Sequence, residues 1–231
     1  MRQEITHGPS FAMLRVDLSP GETIVAEAGA MVARHSPVAM EVKLNAGRKA
    51  GFFAKLWAIC IAFVRKMIGG ETFFVNHFSA AQGGSVWLAP ALSGQIVHRS
   101  LAGQKIVLST GAFLASMGDV DIKMRWGGLR GILAKRGAFF LEVSGTGELW
   151  FTSYGGIESI DVTDAYLVDN GHLVGWEGAL QMSVTSAGGG VMGLVASGEG
   201  LVCKLTGKGR VYLQTRNLEA LGQWLTPYLP G

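Results

Sequence analysis

The sequence has 231 residues, of which 48% are hydrophobic and 16% are charged, and its formal net charge is +3. Soluble domains usually carry roughly a quarter charged residues, so this chain has surplus apolar surface that self-association, a partner protein or a membrane surface would cover. The 34 glycines fall between apolar runs, which predicts short strands and turns and excludes a disordered chain.

The first 22 residues contain acidic side chains and no apolar block of the length of a signal peptide. This favours a cytoplasmic location. Cys60 and Cys203 are the two cysteines, and the first lies in an apolar segment and the second in a strand-like segment. We expect two buried free thiols, because neither a disulfide framework nor a metal-binding spacing is present in the sequence.

A strand pattern follows a glycine three times along the chain, at Gly29, Gly111 and Gly171. When these glycines are aligned, apolar residues recur at the same three alternate offsets. They are Val38, Met40 and Val42, then Val120, Ile122 and Met124, then Leu180, Met182 and Val184. This period-two alternation predicts strands with one buried and one wet face. We expect each glycine to mark a bulge or a close backbone approach within an extended segment.

A second block also recurs three times, at residues 73–88, 139–151 and 201–213. Each copy is predicted as strand, glycine turn and strand. Gly84, Gly147 and Gly209 are placed in the turns, and Trp87, Trp150 and Tyr212 follow three residues later. The sequence therefore predicts a single β domain of three internal repeats, at about residues 11–100, 101–160 and 161–216.

Units this small cannot bury their own strand faces, so we expect them to pack around a common axis. The predicted fold is all-β, with the triplicated module forming a double-stranded β-helix, a jelly-roll-like barrel or a prism. A short helical insertion is expected near residues 52–68. A C-terminal helix is expected at 217–227, capped by Asn217, ended by Pro227 and packed against the barrel or a neighbouring subunit.

The connections between the two blocks carry an uneven charge. Residues 45–70 contain five basic side chains and residues 125–137 contain four, and neither segment contains an acid. Removing these nine from the 20 basic residues leaves 11 basic against 17 acidic side chains. The apolar run at 56–64 is far shorter than the ~18 residues that a membrane span needs.

Basic residues beside exposed apolar ones are typical of surfaces that meet anionic headgroups or another polyanion. The alternative is that these connections cover the barrel end or a subunit interface, with a solvated basic fringe. The candidate contact residues for a membrane or a membrane-associated partner are Arg48, Lys49, Phe52, Phe53, Lys55, Trp57, Phe63, Arg65, Lys66, Arg130, Lys135 and Arg136.

No catalytic or metal site is predicted from the sequence. The five histidines lack the close spacing of metal ligands, and neither a nucleophile elbow nor a phosphate loop is present. Asp161, Asp164 and Asp169 are interpreted as solvated carboxylates of a linker, with a cation site as the alternative. We therefore expect a non-enzymatic protein that needs no cofactor.

The ordered motifs "LSPGETIVAEAGAMV", "GGETFFVNHFSAAQGGSVWLAP", "VDNGHLVGWE" and "LTGKGRVYLQTR" resemble the bacterial branch of the altered inheritance of mitochondria protein 24 family, a domain of unknown function. The resemblance covers nearly the whole chain. It implies a fold like that of the tryptophan-RNA-binding attenuation protein and a homo-oligomer, with a trimer favoured. It supplies no catalytic residues.

Mitochondrial members of this family are implicated in inner-membrane organisation, which implies a peripheral membrane contact. The fold likeness raises a second hypothesis, an RNA or small-ligand binding module. Single-stranded RNA binding needs aromatic platforms interleaved with basic side chains on strands. Here the basic residues lie mainly in the connections, so nucleic acid is not the expected partner.

Overall fold

The structure is a computed structural model that describes residues 1–44, 74–126, 139–186 and 201–229. Within them lie fourteen β-strands, one α-helix and two short 3₁₀ turns, which confirms a mostly β protein. The strands are β1 (Arg2–Thr6), β2 (Met13–Leu18), β3 (Glu22–Glu27), β4 (Met31–Arg34), β5 (Ala39–Leu44), β6 (Phe74–Ala80), β7 (Gly84–Leu88), β8 (Ile96–Ser109), β9 (Phe113–Trp126), β10 (Phe139–Thr152), β11 (Ile157–Val162), β12 (Ala165–Asp169), β13 (Leu173–Ser186) and β14 (Leu201–Gln214).

The described strands form two antiparallel sheets. The smaller sheet has the order β1-β2-β7-β4, and the larger has the order β11-β14-β13-β8-β10-β9-β3-β6-β5, with β12 also pairing with β14. Both orders begin and end on an edge strand, so the described sheets are open. Closure into a barrel or prism stays a prediction.

One pairing scheme occurs three times. In residues 96–152, β10 pairs with β8 on one side and β9 on the other. In residues 157–214, β14 pairs with β11 and β12 on one side and β13 on the other. In residues 13–88, each of the three corresponding paths is divided into two strands. β7 pairs with β2 on one side and β4 on the other, and β6 pairs with β3 on one side and β5 on the other. We call these ranges unit 1 (13–88), unit 2 (96–152) and unit 3 (157–214).

The long strands double back on themselves. A straight strand of the length of β10 would extend roughly 45 Å. Yet Phe140 near its start lies opposite Ser109, and the Thr152 amide at its end donates to the Ala112 carbonyl. Ser109 and Ala112 are joined by a tight turn, with the Ala112 amide donating to the Ser109 carbonyl at 3.1 Å. Both ends of β10 therefore lie beside one turn.

Glycine permits this bend at matching places in units 2 and 3. Gly145 has φ +122°, and a Cβ there would lie 2.1 Å from the Asp119 carbonyl oxygen. Gly207 has φ +116°, and a Cβ there would lie 2.3 Å from the Ala179 carbonyl oxygen. Any other residue would be strained and would also clash with the neighbouring strand.

Two predictions about glycines are wrong in part. Gly147 and Gly209 lie inside the continuous strands β10 and β14, so the expected turns are absent there, and only Gly84 follows a turn. In β10 a shift in its register with β8, between Ser144 and Thr146, accompanies the change of direction. Gly29 and Gly111 lie in tight turns between strands and have open space around them, so no close approach requires them.

The three units join through two short pairings and form three adjoining cores. Residues Ile24–Ala26 of β3 pair with Ala115–Met117 of β9, and Ile106–Leu108 of β8 pair with Gly175–Glu177 of β13. Each core is dominated by one unit and is completed by side chains of a neighbouring unit. The units therefore depend on one another for burial.

The C-terminal helix α1 (Leu218–Leu225) confirms the predicted helix and its cap. The Asn217 side chain accepts hydrogen bonds from the Glu219 and Ala220 amides, and a 3₁₀ turn containing Pro227 follows. No residue of α1 is buried within the single chain, and packing of its apolar side against a neighbouring subunit stays a prediction. The insertion expected near 52–68 lies outside the described residues. Among the described helices, none has the length and hydropathy to cross a membrane.

The matched bends can be tested by substitution. We expect Gly145→Ala and Gly207→Ala to lower the free energy of unfolding by similar amounts, each roughly 3 kcal/mol, because both introduce backbone strain and a clash. Gly222→Ala in α1 is the control, since it meets no neighbour and should stabilise the helix by roughly 0.5–1 kcal/mol. Urea denaturation measures all three. A loss at one bend only would contradict the equivalence of units 2 and 3.

Candidate functional site

The three connections leave from equivalent strand ends. They join Leu44 to Phe74, Trp126 to Phe139, and Ser186 to Leu201, and each of these is a directly opposed pair in a hairpin. Each connection thus begins and ends on two neighbouring strands, at the same end of the hairpin that they form.

All predicted contact residues fall within the first two connections, outside the described residues. They are Arg48, Lys49, Phe52, Phe53, Lys55, Trp57, Phe63, Arg65, Lys66, Arg130, Lys135 and Arg136.

Arg125, at the start of the second connection, is not a free charge. Its Nη2 donates to Glu142 Oε1 at 3.0 Å, and Lys105 Nζ lies 3.3 Å from Glu142 Oε2. Burial alone would raise the pKa of Glu142, but the hydrogen bonds and charges of Arg125 and Lys105 outweigh it and hold that pKa below its usual value. The count of basic residues in the second connection included Arg125, so it overestimated the unpaired positive charge by one.

A cavity of about 410 Å³ adjoins this ion cluster at the junction of units 2 and 3. Lys105, Arg125, Glu142 and Glu177 form its charged part, and Phe140, Trp176, Leu180 and Met182 are among its apolar lining residues. Phe140 and Trp176 meet edge to face, with ring centroids 5.1 Å apart. The cavity combines a nearly neutralised charge cluster with an aromatic wall.

A second cavity of about 370 Å³ contains a carboxyl that the sequence analysis missed. It is lined by residues of all three units, including Glu27, Thr110, Tyr154, Leu173 and Leu218. Burial raises the pKa of Glu27 from 4.5 to about 7. Of the residues lining this cavity, Glu27 is the one that carries a charge, so the lining supplies no acid and base pair. The sequence signal for this site was Glu27 itself, an isolated acidic residue two positions before Gly29.

Two polar networks hold aromatic side chains at the unit junctions. Trp150 Nε1 donates to Gln3 Oε1 at 2.6 Å, and the Trp150 ring stacks on His98, which is hydrogen-bonded to Glu148. In the second network, Tyr212 donates to Glu177 Oε1 at 2.7 Å and accepts from Arg99 Nη2 at 2.6 Å. Burial, followed by the hydrogen bond to Glu177, raises the pKa of Tyr212. These contacts fix ring positions within the fold.

The acidic residues predicted to form a linker lie on strands or at their ends. Asp161, on β11, is paired with Arg210, whose hydrogen bond lowers the pKa of Asp161. Asp169 ends β12 and caps the following 3₁₀ turn. Cys203 is a buried free thiol, and burial together with the charge of Asp169 raises its pKa to about 11, which makes it unreactive. Within the described ranges, no group of three or more histidine, cysteine or acidic side chains is suited to a metal ion.

The ionisation of Glu27 should make stability depend on pH. Below about pH 4.5 this carboxyl is protonated in both the folded and the unfolded chain, so burial has no electrostatic cost. As the pH rises towards 7 the unfolded chain ionises first, and stability is lost. Glu27→Gln should therefore raise the free energy of unfolding at pH 8 by an amount on the order of 3 kcal/mol, and by almost nothing at pH 4.5.

Denaturant midpoints at the two pH values measure this difference. Glu158→Gln, on the exposed face of β11, is the control and should change neither midpoint. An equal gain from Glu27→Gln at both pH values would show that packing, not ionisation, is responsible.

Comparisons with known proteins give one consistent picture. A family described as "Mitochondrial biogenesis AIM24" matches residues 3–216. An uncharacterized protein of Streptococcus pyogenes serotype M6 is 31% identical over 233 residues, which cover 100% of this chain and 92% of that protein. The X-ray crystal structure of a Streptococcus pyogenes protein superposes with a TM-score of 0.79 at 30% identity, covering 99% of both chains.

Proposed function

The chain belongs to the mitochondrial biogenesis AIM24 family, and from that premise we propose that it is a non-enzymatic, homo-oligomeric β scaffold whose basic, apolar connections engage an anionic membrane surface. The observation that carries this proposal is the placement of the connections. All three arise from equivalent hairpin ends, and two of them concentrate basic side chains. The strand ends from which they leave hold the same place in each unit.

The charge available for this contact is substantial. Without Arg125, which Glu142 engages, eight basic residues remain in the two basic connections. Each lysine or arginine near an anionic bilayer contributes about 1 kcal/mol, and the effect falls off within roughly 10 Å at 0.1 M salt. Phe52, Phe53, Trp57 and Phe63 would add apolar contact at the headgroup boundary. Oligomerisation would multiply these contacts on one membrane.

The ion pairs on the strand surfaces favour an anionic membrane over RNA as the binding partner. Four of the strand basic residues are engaged by carboxylates: Lys105 and Arg125 bind Glu142, Arg210 binds Asp161, and Lys123 Nζ lies 2.6 Å from Asp121 Oδ2. An RNA platform needs unengaged basic side chains beside exposed aromatic rings on the strands. The two basic connections instead carry eight basic residues and no acid between residues 45 and 70 or between residues 126 and 137.

Vesicle co-sedimentation tests the proposal. A variant with Arg48→Gln, Lys49→Gln, Arg65→Gln and Lys66→Gln loses four charges from the first connection. It should bind phosphatidylserine vesicles roughly 100-fold more weakly than the wild type, since about 4 kcal/mol is the largest loss expected and part of it is screened. Neutral phosphatidylcholine vesicles should retain neither protein.

The matched control removes four exposed charges from strands, by Arg2→Gln, Lys123→Gln, Lys204→Gln and Lys208→Gln. It should change vesicle binding less than threefold. Equal retention of the wild type on neutral and anionic vesicles, or equal losses in the two variants, would refute the proposal. Salt-dependent binding of labelled single-stranded RNA, lost in the first variant and without vesicle binding, would replace the membrane with RNA.

A further inference from the structure

The residue two positions before each aligned glycine ends a strand and begins a turn. This residue is Glu27 in unit 1, Ser109 in unit 2 and Asp169 in unit 3. The Ala30 amide donates to the Glu27 carbonyl at 3.2 Å, as the Ala112 amide donates to the Ser109 carbonyl at 3.1 Å. The three side chains therefore leave equivalent points of the fold.

Two of these three side chains have hydrogen-bond partners within the protein. Ser109 Oγ donates to the Leu173 carbonyl at 2.6 Å. Asp169 accepts from the Gly171 amide at 3.1 Å and from the Asn217 side chain at 3.3 Å. Both polar groups are thus used to hold the turns and the segment that leads into α1.

The Glu27 carboxylate differs from both. Among the described residues, no hydrogen bond or ion pair reaches it, and it lines the second cavity, of about 370 Å³. The Glu27 side chain is half-buried, so it has lost part of its hydration and can still be reached from the cavity. A desolvated carboxylate without a donor costs free energy, which a ligand that supplies the donor would recover.

Three other polar side chains of the cavity wall are engaged with the backbone. Besides Ser109, Ser153 Oγ donates to the Gly155 carbonyl at 2.8 Å, and Gln214 Nε2 donates to the Gly171 carbonyl at 2.9 Å. These bonds hold the wall in place. They leave Glu27 as the group at which a charged ligand can bind.

The wall of the cavity is formed in advance of any ligand. The loop after β7 and the loop after β10 are joined by a bridge between Gly94 and Gly155, and the Gln95 amide donates to the Gly155 carbonyl at 3.1 Å. The volume is within the range of small-molecule sites. The apolar residues of the lining include Pro90, Leu92, Leu173, Val174 and Leu218.

We propose that this cavity binds a small organic cation, a primary or secondary amine with a compact apolar body, and that Glu27 is its counter-ion. The ammonium group supplies the positive charge and the hydrogen-bond donors that the Glu27 carboxylate lacks. The apolar body displaces water from the apolar part of the wall. The site does not depend on the membrane contact of the proposed function.

The lining favours an amine over other charged ligands. An anion would be repelled by Glu27, since the cavity lining supplies no basic side chain. A divalent metal ion would need several further ligands, and the described ranges contain no group of three or more histidine, cysteine or acidic side chains suited to one. A single carboxylate beside an apolar wall matches one ammonium group on an apolar body.

Amine binding should strengthen as Glu27 ionises. Burial raises the pKa of Glu27 to about 7, so an amine that binds the ionised form should bind roughly 30-fold more tightly at pH 8 than at pH 5.5. Among the residues that pair with β3 or line the cavity, His77 and Tyr154 are the other titratable ones. Both remain in Glu27→Gln, so that variant isolates the titration of Glu27.

Ligand-observed NMR titrations with benzylamine, without lipid, test the proposal. At pH 8 the wild type should bind benzylamine with a dissociation constant of about 1 mM or tighter. Benzyl alcohol and benzoate, which have a similar shape, should bind at least roughly 10-fold more weakly. Glu27→Gln should weaken benzylamine binding roughly 10- to 100-fold and abolish its pH dependence, because a charged hydrogen bond is lost. This variant should not fail by unfolding, since it is expected to be more stable than the wild type at pH 8.

A second variant tests the position of the site with the carboxylate intact. Ala91→Trp places a large ring in the cavity from the exposed loop after β7 and should also abolish benzylamine binding. Glu158→Gln, which removes an exposed carboxylate outside the lining, is the control and should bind as the wild type does.

Four results would each overturn the proposal. They are no binding of benzylamine to the wild type at about 10 mM, equal binding of benzylamine and benzyl alcohol, undiminished binding by Glu27→Gln, and undiminished binding by Ala91→Trp. Vesicle binding that persists after any of them would leave the membrane contact standing.

Discussion

No unit of this protein completes its core with its own residues. In units 1 and 2 the three curved strands leave one side of the core uncovered, and Leu114 with Trp150, or Val174 with Tyr212, covers that side from the next unit. The core of unit 3 is completed by Phe140 of unit 2. An aromatic ring buries 150–250 Å², so Trp150 and Tyr212 are large fractions of the apolar area at each junction. The polar networks around Gln3 and Arg99 satisfy the buried indole and phenol groups, which would otherwise oppose burial. Burial between units thus determines which faces of the array are closed and which are open.

The bends in the long strands make this arrangement possible. A flat strand as long as β10 would place the Ser109 turn and the Thr152 amide far apart, whereas the structure brings them together. Gly145 and Gly207 allow the strand to reverse while the neighbouring backbone lies in contact. The reversal also brings each hairpin end, and therefore each connection, to an equivalent place in its unit. The bends in the long strands therefore determine both how the units pack and where the basic connections begin.

The sequence predicted the local features well and the non-local ones poorly. Alternation around Val38, Val120 and Leu180 predicted strands, and Asn217 predicted the helix cap, because both signals depend on neighbours in the chain. The predicted burial of the apolar strand face is wrong at Met40, Val42 and Met124, which are exposed. Gly147 was placed in a turn because a glycine between apolar runs has the same pattern in a turn and in a bent strand. Glu27 was missed because its burial comes from residues more than 60 positions away. Val32 has the same apolar character as Leu114 and Val174, so only the coordinates show that it alone is uncovered.

Amide hydrogen exchange in a Tyr212→Ala variant tests the central claim most directly. Tyr212 belongs to unit 3 but is buried in the core of unit 2, so the account predicts faster exchange at 106–108 and 149–151 of unit 2 as well as at 173–177 of unit 3. Exchange that rises in unit 3 and stays unchanged in unit 2 would contradict the account.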